Sequence, residues 1–280
     1  MMKERYKKYL PILIGKYIQC LFFFFPKKAI NKAYILFCTP RKGKVLPEQE
    51  YFLEEAEDEV ILVDNVYLQT YRWSSTGETV LLVHGWESNS HRWKTLVQKL
   101  QKSGYNIIAF DAPAHGNSSG KILNVPLYTK CLQKIVELYR PNHVLGHSVG
   151  GMTTIFHQFT YPDQEIEKLV VLAPPSELSR IMKGYQDILK LSPKFMDALN
   201  QHFKNKHGFY FEEFSMSYFA KNLTSNGLLI HDKYDDIAPY EEAQAISENW
   251  EGVDFISTEN FGHSLFFDEV DTMIINFLKA

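Results

Sequence analysis

The chain lacks the marks of a bound metal, nucleotide or nucleic acid. No H-E-x-x-H pattern occurs among its ten histidines, so the usual helical zinc pair is missing. No G-x-G-x-x-G and no P-loop is present, so neither a dinucleotide nor a nucleoside triphosphate is implied. The three cysteines, Cys20, Cys38 and Cys131, are far apart and form no C-x-x-C, which argues against a disulfide framework and favours a reducing, cytoplasmic setting. With a formal net charge of −3 there is no basic excess to draw nucleic acid. Internal repeats are absent, as is low-complexity sequence beyond four consecutive phenylalanines. The expectations are therefore no metal, no cofactor and no nucleic-acid partner.

The N-terminus lacks two further things. The apolar run 10–25 has no small-x-small site after it, as a cleaved signal requires; Pro26-Lys27-Lys28 follows instead. At 16 residues, broken by Lys16 and Gln19, it is also short for a membrane span of ~20. Two readings stand. One is a helix packed on the main domain. The other is a peripheral membrane contact through residues 1–32, with Lys3, Arg5, Lys7, Lys8, Lys27, Lys28 and Lys32 near anionic headgroups.

What is present is an alternation. Residues 39–50 read as a solvated connector, which gives an N-terminal segment 1–50 and a main domain 51–280. Within the domain, 60–64 and 66–71 read as paired strands. Short apolar runs at 79–83, 106–110, 143–145, 169–172, 228–230 and 254–257 are of the kind buried in a parallel sheet. Helical periodicity falls between them, at 90–103, 125–139, 149–161, 240–250 and 265–278. The expected fold class is α/β, a mostly parallel central sheet flanked by helices, because parallel neighbours need crossovers. Residues 176–226 interrupt the rhythm with helical patterning and many aromatics, among them Phe195 and Phe203, and read as a helical cap.

Residues 146–150 read Gly-His-Ser-Val-Gly. At roughly 7% usage for Gly and for Ser, G-x-S-x-G arises by chance about once in ten chains of this length. Its position after an apolar strand and before a helix is what gives it weight. A strand turning sharply into a helix strains the backbone and lifts the serine hydroxyl off the sheet. A Cβ at Gly146 or Gly150 would strike neighbouring backbone in so tight a turn. Ser148 needs a base, and His263, just after the last strand, is the candidate. The base needs an acid, and Asp232, Asp235 and Asp236 follow the preceding strand. The turn at His84-Gly85-Trp86 ends another strand, where the N–H groups of Trp86 and Val149 could face a developing oxyanion.

Together His84-Gly85-Trp86, the stretch 110–118 (Phe-Asp-Ala-Pro-Ala-His-Gly-Asn-Ser), Gly146-His147-Ser148-Val149-Gly150-Gly151, and the Asp235/His263 pair resemble the α/β-hydrolase fold serine hydrolases, esterase- and lipase-like, from about residue 60 to the C-terminus. Residues 36–41 resemble a lead-in found in bacterial members. The resemblance implies a triad of Ser148, His263 and Asp235 and an oxyanion hole at Trp86 and Val149. It maps the family's acid onto Asp235, with Pro239 in register, while Asp232 stands where many relatives have Gly. It also implies structural roles for Asp111 and His115. The implied activity is hydrolysis through an acyl-enzyme; the cap aromatics point to a hydrophobic acyl or alcohol portion, so cleavage of carboxylic esters of a small hydrophobic substrate is the expectation. His84, Asn89, Phe195 and Phe203 are the candidate pocket residues. Acyl transfer, or thioester, amide or carbon–carbon hydrolysis, could run on the same triad, and a non-catalytic ligand-binding relative is the reading from another class.

Overall fold

A computed structural model describes residues 2–162 and 166–280, with the side chains of residues 2–8 left aside. Lys3, Arg5, Lys7 and Lys8 therefore lie outside the described side chains. The chain forms two compact units, Met1–Thr39 with Glu177–Ser215, and Pro40–Ser176 with Met216–Ala280.

The first unit is helical. Its N-terminal part is α1 (Met2–Phe24) and α2 (Pro26–Cys38), parted where Pro26 opens the second helix. The inserted part of this unit, α7 (Leu178–Leu189) and α8 (Pro193–His207), follows the sixth strand in sequence. α1 packs on α7, and α2 on α8. Ser192 caps α8 by accepting the Phe195 N–H, and Gly208, at φ +89°, ends it in the left-handed conformation that costs glycine little. The inserted part of the unit is Glu177–Ser215, within the 176–226 read from sequence as a helical cap.

In the second unit α3 (Pro47–Leu53) precedes the sheet and buries Phe52 and Leu53; Phe52 stacks on Trp73 with ring centroids 5.0 Å apart. The stretch expected as a solvated connector thus ends in a packed helix, because two large apolar side chains sit just past its end. The strands are β1 (Glu57–Val63), β2 (Val66–Trp73), β3 (Thr79–Val83), β4 (Asn106–Phe110), β5 (His143–His147), β6 (Lys168–Leu172), β7 (Asn226–Asp232) and β8 (Val253–Thr258). Their order is β1-β2-β4-β3-β5-β6-β7-β8. β1–β2 and β2–β4 pair antiparallel, and every later pair is parallel.

Between the strands run α4 (Lys94–Lys102), α5 (Val125–Tyr139), α6 (Val149–Thr160), α9 (Met216–Phe219) and α10 (Tyr240–Asn249), and α11 (Asp268–Lys279) follows the last of them. α5 shows the local logic. Asn124 accepts the Leu127 N–H as cap, Pro126 sits in the first turn where its missing N–H costs nothing, and Arg140 ends the helix left-handed before Pro141. Its buried face is Tyr128, Leu132, Ile135 and Val136. β4 and β5 are buried along their whole length, as strands at the centre of a two-sided sheet must be. The parallel strands run the same way, so the loops after β3, β5, β7 and β8 open at one edge.

Candidate active site

Ser148 stands between β5 and α6 at φ +55°, ψ −122°, a region that L-residues rarely occupy. The surroundings hold it there. Its N–H donates to the Leu172 carbonyl of β6 at 2.8 Å. A Cβ on Gly150 would lie 2.2 Å from the Val83 carbonyl oxygen, and one on Gly146 would lie 2.6 Å from that of Gly150. The two glycines are what let the turn close against β3 and α6.

His263 arrives on the loop after β8. Its Nε2 is 2.9 Å from Ser148 Oγ, and its Nδ1 is 2.8 Å from Asp235 Oδ2. With Nδ1–H donating to the carboxylate, Nε2 is left as acceptor for the serine hydroxyl. The other Asp235 oxygen accepts the N–H groups of Ile237 and Ala238. Burial alone pushes the Asp235 carboxyl up, but the hydrogen bonds from His263, Ala238 and Ile237 outweigh it and hold the group below its usual range.

Asp232 has a different task. One oxygen accepts the Tyr234 N–H, and the other accepts Thr258 Oγ1 and the Phe261 N–H. It ties the end of β7 to the loop that carries His263. The geometry thus separates the three carboxylates left open by the sequence, with Asp235 alone bonded to the imidazole.

The turn after β3 passes against Ser148, since a Cβ on Gly85 would fall 2.9 Å from the serine Cβ. Val149 is the first residue of α6, so its N–H has no acceptor inside the helix. Trp86 follows Gly85, partly exposed, its ring 5.6 Å from that of His115.

A family model described as the alpha/beta hydrolase fold matches residues 78–219. The chain belongs to the alpha/beta hydrolase fold family. Among curated relatives of this hydrolase-fold chain, a serine hydrolase-like protein of Danio rerio is 34% identical over 104 residues, covering 35% of this chain and 31% of that protein. An esterase of Mycobacterium tuberculosis is 30% identical over 118 residues, covering 40% and 39%. The chain thus spans only about a third of the length of these curated relatives. A solved esterase from Exiguobacterium antarcticum superposes with a TM-score of 0.62 at 18% identity, over 79% of this chain and 98% of that one, a likeness of fold.

Around this hydrolase-fold centre lies a brace that the sequence reading did not find. His147, next to the serine, is buried. Its Nδ1 accepts from Arg92 Nη1 at 2.8 Å, and its Nε2–H donates to the His263 carbonyl at 2.8 Å. Arg92 Nη2 also donates to the Ser264 carbonyl at 3.1 Å, and its guanidinium lies over the rings of Trp93 and Phe266 at 4.6 and 4.5 Å. Two side chains therefore grip the backbone that carries His263. Burial, then the Arg92 charge, hold the His147 imidazole well below its usual pKa, so it is neutral and has one proton to place. The one signal in the sequence was a lone arginine beside Trp93, at the start of an apolar helix face.

The remaining candidates fall elsewhere. His84 is fully buried, with Nδ1 donating to the Gly85 carbonyl and Nε2 accepting the Ala112 N–H, so neither nitrogen is free for a ligand. It shapes the turn. Asn89 accepts the His91 N–H and donates to Gln49 and the Lys44 carbonyl. It lines a cavity of about 1090 Å³, together with Arg92, Leu265 and Phe266, whose walls include none of Ser148, His263 and Asp235. Phe195 and Phe203 are buried inside the first unit, against Phe22 and Tyr34 respectively. Their surface is taken up by the N-terminal helices.

Asp111 accepts from Ser90 N–H and Oγ, the Tyr71 hydroxyl and the Asn117 N–H, and His115 accepts the Glu87 N–H. Both fasten loops. His231 Nε2–H donates to the Ala238 carbonyl and spaces the acid loop. His143 stands four residues before His147, yet bonds Glu78 at the other end of β5, about 13 Å of strand away. Among the described residues no group of three or more His, Cys, Asp or Glu is placed to hold a metal ion.

Proposed function

We propose that the protein is a cofactor-independent serine hydrolase acting on carboxylic esters. The observation that carries this is the unbroken hydrogen-bonded line Ser148–His263–Asp235, with its serine held at a strained turn. Related proteins named esterase and serine hydrolase-like add support.

In this mechanism Ser148 Oγ attacks the ester carbonyl while His263 Nε2 takes its proton. Asp235 fixes the tautomer and balances the imidazolium. The Trp86 and Val149 N–H groups receive the oxyanion, each donor contributing ~3–4 kcal/mol to lowering the barrier. As the carbon–oxygen bond to the alcohol breaks, His263 returns the proton to the leaving oxygen. A water then gives its proton to His263 and attacks the acyl-enzyme, and the Oγ–carbon bond breaks to free the acid and reprotonate Ser148.

The proposal names the bond and not the acyl chain. Phe195 and Phe203, two of the cap aromatics behind the expectation of a hydrophobic substrate, are buried in packing. The test is pre-steady-state hydrolysis of p-nitrophenyl esters from acetate to octanoate. A burst of nitrophenol equal to the enzyme, absent in Ser148→Ala, is expected for the esters that fit. No turnover of any ester by folded enzyme would remove the ester reading. Rates that climb with chain length would restore the hydrophobic pocket.

A further inference from the structure

α1 has two apolar faces, and only one is packed. On the packed face a Cβ at Gly15 would fall 1.8 Å from the Leu189 carbonyl oxygen, so the helix meets α7 closely. There Gln19 bonds the Lys190 carbonyl and the Ser192 N–H, Ile18 is fully buried, and the Phe22 ring lies 4.9 Å from Phe195. The other face carries Tyr9, Leu13, Tyr17 and Phe24, all exposed and spaced four, four and then seven residues apart, one stripe along the helix. At its end Phe23, Phe24 and Phe25 are 82%, 66% and 61% exposed. A soluble monomer rarely leaves a contiguous aromatic surface of that kind in water.

The charge beside the stripe has one sign. From residue 5 to residue 47 the sequence holds no Asp or Glu. Lys16, Lys27, Lys28 and Lys32 are exposed, and Lys32 Nζ lies 5.6 Å from the centre of the Tyr17 ring, at the border of the stripe. No helix among the described residues is long and apolar enough to cross a membrane. An apolar face edged with lysines on a helix that does not span is the pattern of a helix lying in the plane of a bilayer surface.

We propose that α1 and the corner at Phe23, Phe24 and Phe25 seat the protein on an anionic phospholipid bilayer. The aromatic stripe enters the boundary between headgroups and acyl chains, and the lysines meet the phosphates. The attraction is both apolar and electrostatic, with each lysine near the surface contributing on the order of fivefold in partitioning. Because the opposite face of α1 is bound to α7 and α8, removing the helix would uncover their packed face, and point substitutions are the sound test.

The experiment is co-sedimentation of the full chain with vesicles of phosphatidylglycerol and phosphatidylcholine, and with phosphatidylcholine alone. Strong binding to the first, at least about tenfold weaker binding to the second, and loss of the difference in high salt are expected. The double variant Lys27→Glu, Lys28→Glu lowers partitioning by about 25-fold or more, and Phe24→Glu abolishes it. These positions are exposed, so unchanged circular dichroism and melting certify the fold. Phe24→Trp supplies a second readout, emission that shifts to the blue on anionic vesicles and is quenched by brominated lipid. Ser148→Ala binds like wild type, which keeps this result apart from the catalytic one. Folded protein that stays in the supernatant with anionic vesicles overturns the proposal. So does an unquenched Phe24→Trp, or a lipid-free dimer, seen in sedimentation equilibrium, that Phe24→Glu splits, since a second copy would then cover the stripe.

Discussion

Replacing Arg92 by Met removes the brace behind His263 while leaving Ser148, His263 and Asp235 in place. The lost contacts are the donor to His147 Nδ1 at 2.8 Å and the donor to the Ser264 carbonyl at 3.1 Å. Hydrogen bonds from a charged group contribute about 1.5–3 kcal/mol each, offset in part because burial of the guanidinium costs desolvation and pulls its pKa down to about 9. A buried acceptor on His147 left unpaired costs about 1–3 kcal/mol. A net destabilisation of about 2–4 kcal/mol follows, read as a lower urea midpoint.

The catalytic effect is separate. The loop that carries His263 loses its tie at the Ser264 carbonyl, and His147, still bonded to the His263 carbonyl, loses the donor that orients it; misplacement of a reacting group by about 1 Å costs on the order of 100-fold. kcat on p-nitrophenyl acetate should therefore fall about 10- to 100-fold with KM within about twofold, because the brace touches the base and not the ester. Arg92→Lys keeps the charge but has no fork to reach both partners, so it recovers stability more than kcat. A folded Arg92→Met enzyme with wild-type kcat would refute the positioning argument. A rise in KM alone would place Arg92 in substrate binding.

Three other outcomes can be checked. Asp235→Asn lowers kcat on the order of 10⁴-fold with little loss of stability, whereas Asp232→Ala chiefly lowers the melting temperature, since it unfastens Thr258 and Phe261; equal kcat losses would contradict the division of labour. His84 and His147 are held well below the ordinary histidine pKa, burial first, then the neighbouring His115 for the one and the Arg92 charge for the other, so the folded chain binds fewer protons than the unfolded one below about pH 6.5. Their stabilising contribution is complete above that pH and falls by up to about 1.4 kcal/mol per unit for each as pH drops, so equal urea stability at pH ~7.5 and ~5.5 would be the contrary result. Gly150→Ala places a Cβ 2.2 Å from the Val83 carbonyl oxygen and should cost more than about 4 kcal/mol or prevent folding, while Gly184→Ala in α7 meets nothing within 4 Å and should raise stability by about 0.5–1 kcal/mol, both read by thermal melting.

Much of the fold was legible because its signals are local. The runs at 79–83 and 106–110 are strands at those bounds, since a buried parallel strand must be apolar throughout. The helix at 125–139 is bounded by its own cap and by Pro141. The grouping of Ser148, His263 and Asp235 was legible because all three stand just past strand ends, where a serine triad would place those residue types. What was hidden depends on partners distant in sequence. The fate of Phe195 was set by Phe22, and that of Arg92 by Ser264, 172 residues away. No periodicity carries that information. The choice between Asp232 and Asp235 was of the same kind, for one ends β7, the other stands three residues on, and only the path of the His263 loop separates them.

The central claim is that Ser148 is a nucleophile activated by His263. Its most direct test is reaction with a fluorophosphonate, followed by peptide mass spectrometry of wild type, Ser148→Ala and His263→Ala. The expected result is one adduct per chain, on the peptide bearing Ser148, lost in Ser148→Ala and slowed at least about 1000-fold in His263→Ala. Folded wild-type protein that takes up no label, or that is labelled equally well in Ser148→Ala, would contradict it.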